Sequence, residues 1–96
     1  MNGHCPVIRL QCEYCDCSGI SCQSRFLGLN VEWPELKGVS APEAKRKIER
    51  DNPHVTCVII PEDVMVLAVN CCNRVLLRVP VGNCPNGPVV NTPRIG

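Results

Sequence analysis

From Trp33 onward, hydrophobic and polar positions follow recognisable periods. Ala41, Ala44 and Ile48 recur at helical spacing, which places them on one face of an amphipathic helix. Ser40-Ala41-Pro42-Glu43 reads as a capping box, in which the Ser hydroxyl and the Glu carboxylate satisfy free amides of the first turn. Proline is tolerated there because its missing N–H has no partner to lose. Glu43 with Lys47 and Lys45 with Glu49 stand four apart, and only the first has the favourable acid-before-base order. Asn52 precedes Pro53 and is pushed out of the helical region, so the pattern predicts one helix over 41–51.

The run from His54 to Ile60 is β-branched and mostly apolar, which predicts a buried strand. Arg74 to Val79 alternates, with Val75, Leu77 and Val79 toward a core and Arg74, Leu76 and Arg78 on the other side. Gly82 to Gly87 is a turn, marked by Asn86-Gly87, and Val89-Val90 reads as a short last strand before Pro93. Between the first two strands, Val64 to Val69 are apolar without interruption. Periodicity alone leaves two readings of that run. It is either another strand or an exposed apolar loop of the kind that marks a contact surface.

Residues 1–30 show neither period and are rich in Cys, Ser and Gly, so they read as a poorly ordered arm ahead of a domain at 31–96. Five of the nine cysteines lie in that arm: Cys5, Cys12, Cys15, Cys17 and Cys22. The others are Cys57, Cys71, Cys72 and Cys84. An odd count leaves at least one thiol unpaired in a monomer without metal. Cysteine density points to an oxidising compartment. The start at Met1 lacks the basic and apolar runs of a signal peptide, so the chain as written is expected inside the cell, or outside it or in a vacuole if a leader precedes it. Cys12-Glu13-Tyr14-Cys15-Asp16-Cys17, with Cys22 and Cys5 or His4, offers soft ligands at close spacing, but a second C-x-x-C is missing. A metal-binding arm is therefore a secondary reading, and no resident metal or cofactor is expected. The net charge of +1 and the single Trp, Tyr and Phe give no stripe for nucleic acid and no basic patch for a membrane surface. His4 and His54 are the only histidines and read as surface residues, so no catalytic set is expected.

Taken in order, Trp33-Pro34-Glu35-Leu36, Gly38, Ser40 through Lys45, Asn52-Pro53, Arg74-Val75 and Pro93-Arg94-Ile95-Gly96 resemble the potato inhibitor I family of serine-protease inhibitors. The resemblance covers about residues 31–96. It implies an α+β fold, one helix packed on a small mixed sheet, with a long exposed protease-binding loop joining two parallel strands. It implies a reactive-site loop of Met65, Val66, Leu67, Ala68, Val69 and Asn70, with the scissile bond at Ala68–Val69. Val66 and Leu67 are then expected to fill the protease pockets before the cut, and Asn70 the pocket after it. Ala68 suits a subtilisin-like or elastase-like partner, and the chain is expected to act as a monomer.

The family supports its loop from beneath by arginines that bond a Thr before the cut and an acid after it. Here Arg74 keeps one arginine position and Leu76 replaces the other, while Leu67 and Val69 stand where the Thr and the acid would be. Arg78, on the same face as Arg74, is the candidate replacement. Cys72 stands where some relatives carry a loop cysteine bridged to the N-terminal segment, with Cys22 as its candidate partner. The loss of the usual loop partners leaves a second function reading, a relative that has lost inhibition and acts as a binding protein.

Overall fold

The computed structural model describes Cys5, residues 8–66 and residues 69–96. Its elements in chain order are β1 (Tyr14–Cys15), a 3-10 turn (Gly19–Arg25), a second 3-10 turn (Pro34–Leu36), α1 (Ala41–Asp51), β2 (Thr56–Pro61), β3 (Asn70–Cys71) and β4 (Arg74–Val79). The strands form two pairs, β1 antiparallel to β3 and β2 parallel to β4. This is the expected α+β class.

The long pair runs in register from Thr56 opposite Arg74 to Pro61 opposite Val79. Alternation sends Cys57 and Ile59 of β2 and Val75, Leu77 and Val79 of β4 into the core. There they meet Ala41, Ala44 and Ile48 of α1, with Trp33, Val89 and Ile95 filling the remaining space. The C-terminal segment returns between two parts of the chain, with Trp33 donating to the Pro93 carbonyl (2.8 Å) on one side and Gly96 to that of Arg74 (3.0 Å) on the other.

The helix starts where the pattern places it, but not by the expected means. Ser40 makes no side-chain cap bond. Instead the Ala41 amide donates to the Gly87 carbonyl at 2.9 Å, so the turn after β4 supplies the cap. Glu43 and Lys47 do not pair either. Lys45 pairs with Glu49 at 2.6 Å and Lys47 with Asp51 at 3.3 Å. The reason is tertiary. Lys45 also donates to the Cys57 carbonyl and Glu49 accepts the Cys57 amide, so this ion pair docks the helix on β2. Asp51 likewise accepts the Trp33 indole N–H at 3.2 Å.

At the other end, Asn52 is fully buried. Its amide donates to the Asn30 carbonyl and its oxygen accepts the His54 amide, which delays β2 to Thr56 rather than His54. Val89 and Val90 form no strand. Val89 donates to the Val39 carbonyl and accepts from the Gly38 amide, and Val90 donates to the Arg78 carbonyl.

The arm departs most from expectation. Residues 8–30 lie on the domain, with Cys17 and Cys22 buried in its core cluster. Gly19 makes close approach possible. Its amide donates to the Ile95 carbonyl at 2.8 Å, its φ is +53°, and a Cβ there would meet the Glu32 carboxylate at 2.8 Å. Three disulfides tie the arm down, Cys5–Cys84, Cys12–Cys71 and Cys15–Cys72, and Cys17–Cys22 closes a short loop within it. The expected Cys22–Cys72 bridge is thus replaced, because Cys15 at the end of β1 reaches Cys72 while Cys22 turns back to Cys17. Cys84 pairs with Cys5, and Cys57 is the free thiol among the described residues.

Two outcomes check this core. Ile48→Ala is expected to lower stability by about 2–5 kcal/mol, read from urea denaturation followed by Trp33 fluorescence. Burial, reinforced by Glu49, pushes the Cys57 thiol up to about 12 from 9.0. The unfolded chain then releases this proton first, so the thiol's contribution is intact below about pH 9 and is lost as pH rises toward about 12. Stability of the native chain should therefore fall more steeply over that window than that of Cys57→Val.

Candidate functional site

A parallel strand pair dictates where the exposed loop must be. The end of β2 and the start of β4 lie at opposite ends of the pair, about 20 Å apart for strands of this length. Residues 62–73 span that return, with 62–66 and 69 exposed and Cys71 and Cys72 buried at its end. The segment leaves β2 through a turn in which Val64 donates to the Pro61 carbonyl at 3.1 Å, while the Glu62 amide donates to the Val79 carbonyl at 2.7 Å. Val64, Val66 and Val69 are exposed, and Met65 is 93% exposed. Of the two readings of the apolar run, the described residues 64–66 and 69 therefore follow the loop reading, with no strand among them. Leu67 and Ala68, and with them the expected scissile bond, lie outside the described residues.

Beneath the loop is an open cleft of about 560 Å³, with Val66, Val69 and Asn70 above and Arg74, Leu76 and Arg78 of β4 below. The outward face of β4 supplies both arginines two turns of alternation apart. Arg78 Nη1 donates to the Val64 carbonyl at 2.6 Å and, more weakly, to that of Glu62 at 3.4 Å. Arg74 Nη2 donates to the Val69 carbonyl at 3.0 Å. Its Nε donates to the Gly96 carbonyl at 2.8 Å, which holds the guanidinium in place from behind. Partial burial lowers the Arg74 pKa from its ordinary value without threatening its charge. Among the described residues no loop side chain accepts from these arginines, and the guanidinium groups use main-chain carbonyls on both flanks instead. Such bonds are worth about 1.5–3 kcal/mol where dry and less where solvent screens them, as here.

The loop's exit is held covalently. Asn70 and Cys71 pair with Cys15 and Tyr14, and Cys71 and Cys72 each carry a bridge to the arm. Polar contacts repeat the attachment. Cys72 donates to the Glu13 carbonyl at 2.9 Å, and the Asn73 side chain accepts from the Glu13 amide and donates to the Gln11 carbonyl. Arg74, Arg78 and Cys72 were expected here from the sequence, whereas Cys12, Cys15, Asn73 and the Gly96 carbonyl were not. Cysteine parity was the available signal, and it does not fix pairing.

A loop pinned at both flanks over a rigid sheet defines a domain that presents one extended peptide segment. Comparison with known proteins assigns it further. Residues 27–96 match the Potato inhibitor I family, and the chain belongs to that family, whose members inhibit proteases rather than act as enzymes. It is 45% identical over 64 residues to the "Inhibitor of trypsin and hageman factor" of Cucurbita maxima, covering 67% of this chain and 88% of that one. It is 43% identical over 55 residues to the subtilisin-chymotrypsin inhibitor CI-1A of Hordeum vulgare, covering 57% and 66%. Among solved structures, bitter gourd trypsin inhibitor superposes with a TM-score of 0.63 at 36% identity, over 70% of this chain and 93% of that one.

Replacing Arg78 by alanine is expected to free the Val64 carbonyl and speed hydrogen exchange at residues 64–66 by about tenfold, the scale of one partly screened charge-assisted bond. Exchange within β4 should not change, because the Arg78 backbone bonds to Asn91 and Val90 remain.

Proposed function

We propose that this chain is a serine-endopeptidase inhibitor that offers Ala68–Val69 as a substrate-like bond. The observation that carries the reading is the double anchorage of the loop, Arg78 on Val64 before the bond and Arg74 on Val69 after it. A protease binds its substrate extended. A segment already held extended loses little entropy on docking, so an interface of ordinary size becomes tight. A nanomolar complex corresponds to about 12 kcal/mol. The two bridges at Cys71 and Cys72 keep the segment after the bond attached to the arm, and the inhibitor supplies no catalytic group.

Preference follows Ala68, with Val66 and Leu67 in the pockets before it and Asn70 in the pocket after. A small apolar residue fits subtilisin-like or elastase-like pockets. It leaves the buried acid of a trypsin pocket unpaired, a large penalty, and underfills an aromatic pocket by about 1–3 kcal/mol. One inhibitor monomer per protease is the expected complex.

Titration of subtilisin, elastase, chymotrypsin and trypsin should give stoichiometric inhibition of the first two and weak or no inhibition of trypsin. Mass analysis of any slow product should find cleavage at Ala68–Val69. Ala68→Arg should transfer inhibition to trypsin. Absence of inhibition across the panel at micromolar concentration, or rapid degradation, would sink the proposal in favour of a non-inhibitory relative.

A further inference from the structure

We propose that the reduced chain holds one zinc ion in a tetrathiolate site formed by Cys15, Cys17, Cys22 and Cys72. The sulfur atoms of these four residues all lie within 4.8 Å of one another. Besides the two bonded pairs, Cys17 Sγ is 3.3 Å from Cys72 Sγ, Cys22 Sγ is 3.9 Å from Cys72 Sγ, and Cys17 Sγ is 3.9 Å from Cys15 Sγ. A tetrahedral zinc with bonds of about 2.3 Å separates its sulfurs by about 3.8 Å, so the non-bonded spacings already approach the required edges. The two bonded contacts must open to that length, and the 3.3 Å contact between Cys17 and Cys72 must widen a little. Three of the ligands are buried and Cys15 is partly exposed, which gives an enclosed site with one side open to entry.

The ligand set differs from the one the sequence suggests. Cys12, half of the only C-x-x-C, goes instead to Cys71, and the fourth sulfur comes from the far end of the loop at Cys72. Contacts other than the disulfides also hold the cluster. The Glu13 carbonyl holds the Cys72 amide, Asn73 clasps both Gln11 and Glu13, and Gly19 between Cys17 and Cys22 bonds to Ile95. None of these contacts involves sulfur, so reduction removes none of them directly. A set of four soft sulfurs selects zinc over magnesium or calcium.

Occupancy requires four electrons from a thiol or phosphine reductant, two for Cys15–Cys72 and two for Cys17–Cys22. Each disulfide gives two thiols, and zinc displaces their protons as the four zinc–sulfur bonds form. The oxidised chain, with no thiolate in the cluster, does not bind it. The ion would then join the arm to the loop's exit where the Cys15–Cys72 bridge did so before. Cys57, pushed up to about 12 by burial, takes no part.

The test uses the full chain, reduced anaerobically with a phosphine. Cobalt(II) is titrated as a spectroscopic probe and displaced by zinc, with Trp33 fluorescence reporting the fold. One equivalent with the absorption of tetrahedral thiolate cobalt is expected. Cys72→Ser and Cys17→Ser should each weaken zinc binding by at least about 100-fold, beyond what outer-shell changes produce. Cys57→Ser and Cys12→Ser should stay within about threefold of the parent on the same scale. The proposal is overturned by binding of less than one equivalent, by a reduced chain that stays unfolded in zinc, or by equal losses from Cys12→Ser and Cys72→Ser. None of these readouts involves a protease, so the outcome is independent of inhibition.

Discussion

The parallel pairing of β2 with β4 is the constraint on which the rest of the structure depends. Antiparallel strands can be joined by a two-residue turn, but parallel ones force the chain to travel back the length of the pair. Most proteins fill that return with a helix packed on the sheet. Here α1 has been used before β2, and the return is made by residues 62–73, of which 62–66 and 69 are exposed. The loop is therefore long and solvent-facing because of strand polarity, and the side chains of β4 that point away from the core face its underside.

That arrangement leaves the problem of stiffening a segment with no core. Two devices share it. On the sheet side, guanidinium groups reach main-chain carbonyls, an acceptor that every residue provides regardless of its side chain. Loop side chains are thus released from a structural duty. On the arm side, β1 adds a short antiparallel partner and two sulfur bridges at the exit. The arm, which carries few regular signals, becomes structure by attachment to what the domain presents.

Legibility in the sequence followed the range of the interactions. The helix over 41–51 and the strand over 74–79 were readable because spacing along the chain decides which faces are apolar. The Ser40 cap was a local expectation overridden by Gly87, and in place of the Glu43–Lys47 pair Lys47 joins Asp51, which also accepts from Trp33. Arg74 and Arg78 were visible as a face of β4, but their carbonyl acceptors were not, since main-chain groups carry no sequence signal. The arm was the least legible part. Its order rests on sulfur pairing and on Asn73 and Gly19 contacts with residues about 60 or more positions away.

The connectivity of the bridges has a topological consequence for a chain meant to meet proteases. Cys5–Cys84, Cys12–Cys71 and Cys15–Cys72 all join a residue before the loop to one after it. A backbone severed anywhere between Pro61 and Asn70 therefore remains a single covalent molecule, laced shut at three points. The two new ends cannot diffuse apart, and their effective concentration stays in the range of intramolecular partners, about millimolar or above. Hydrolysis of one peptide bond in the loop becomes a change of state within one molecule rather than the loss of a fragment.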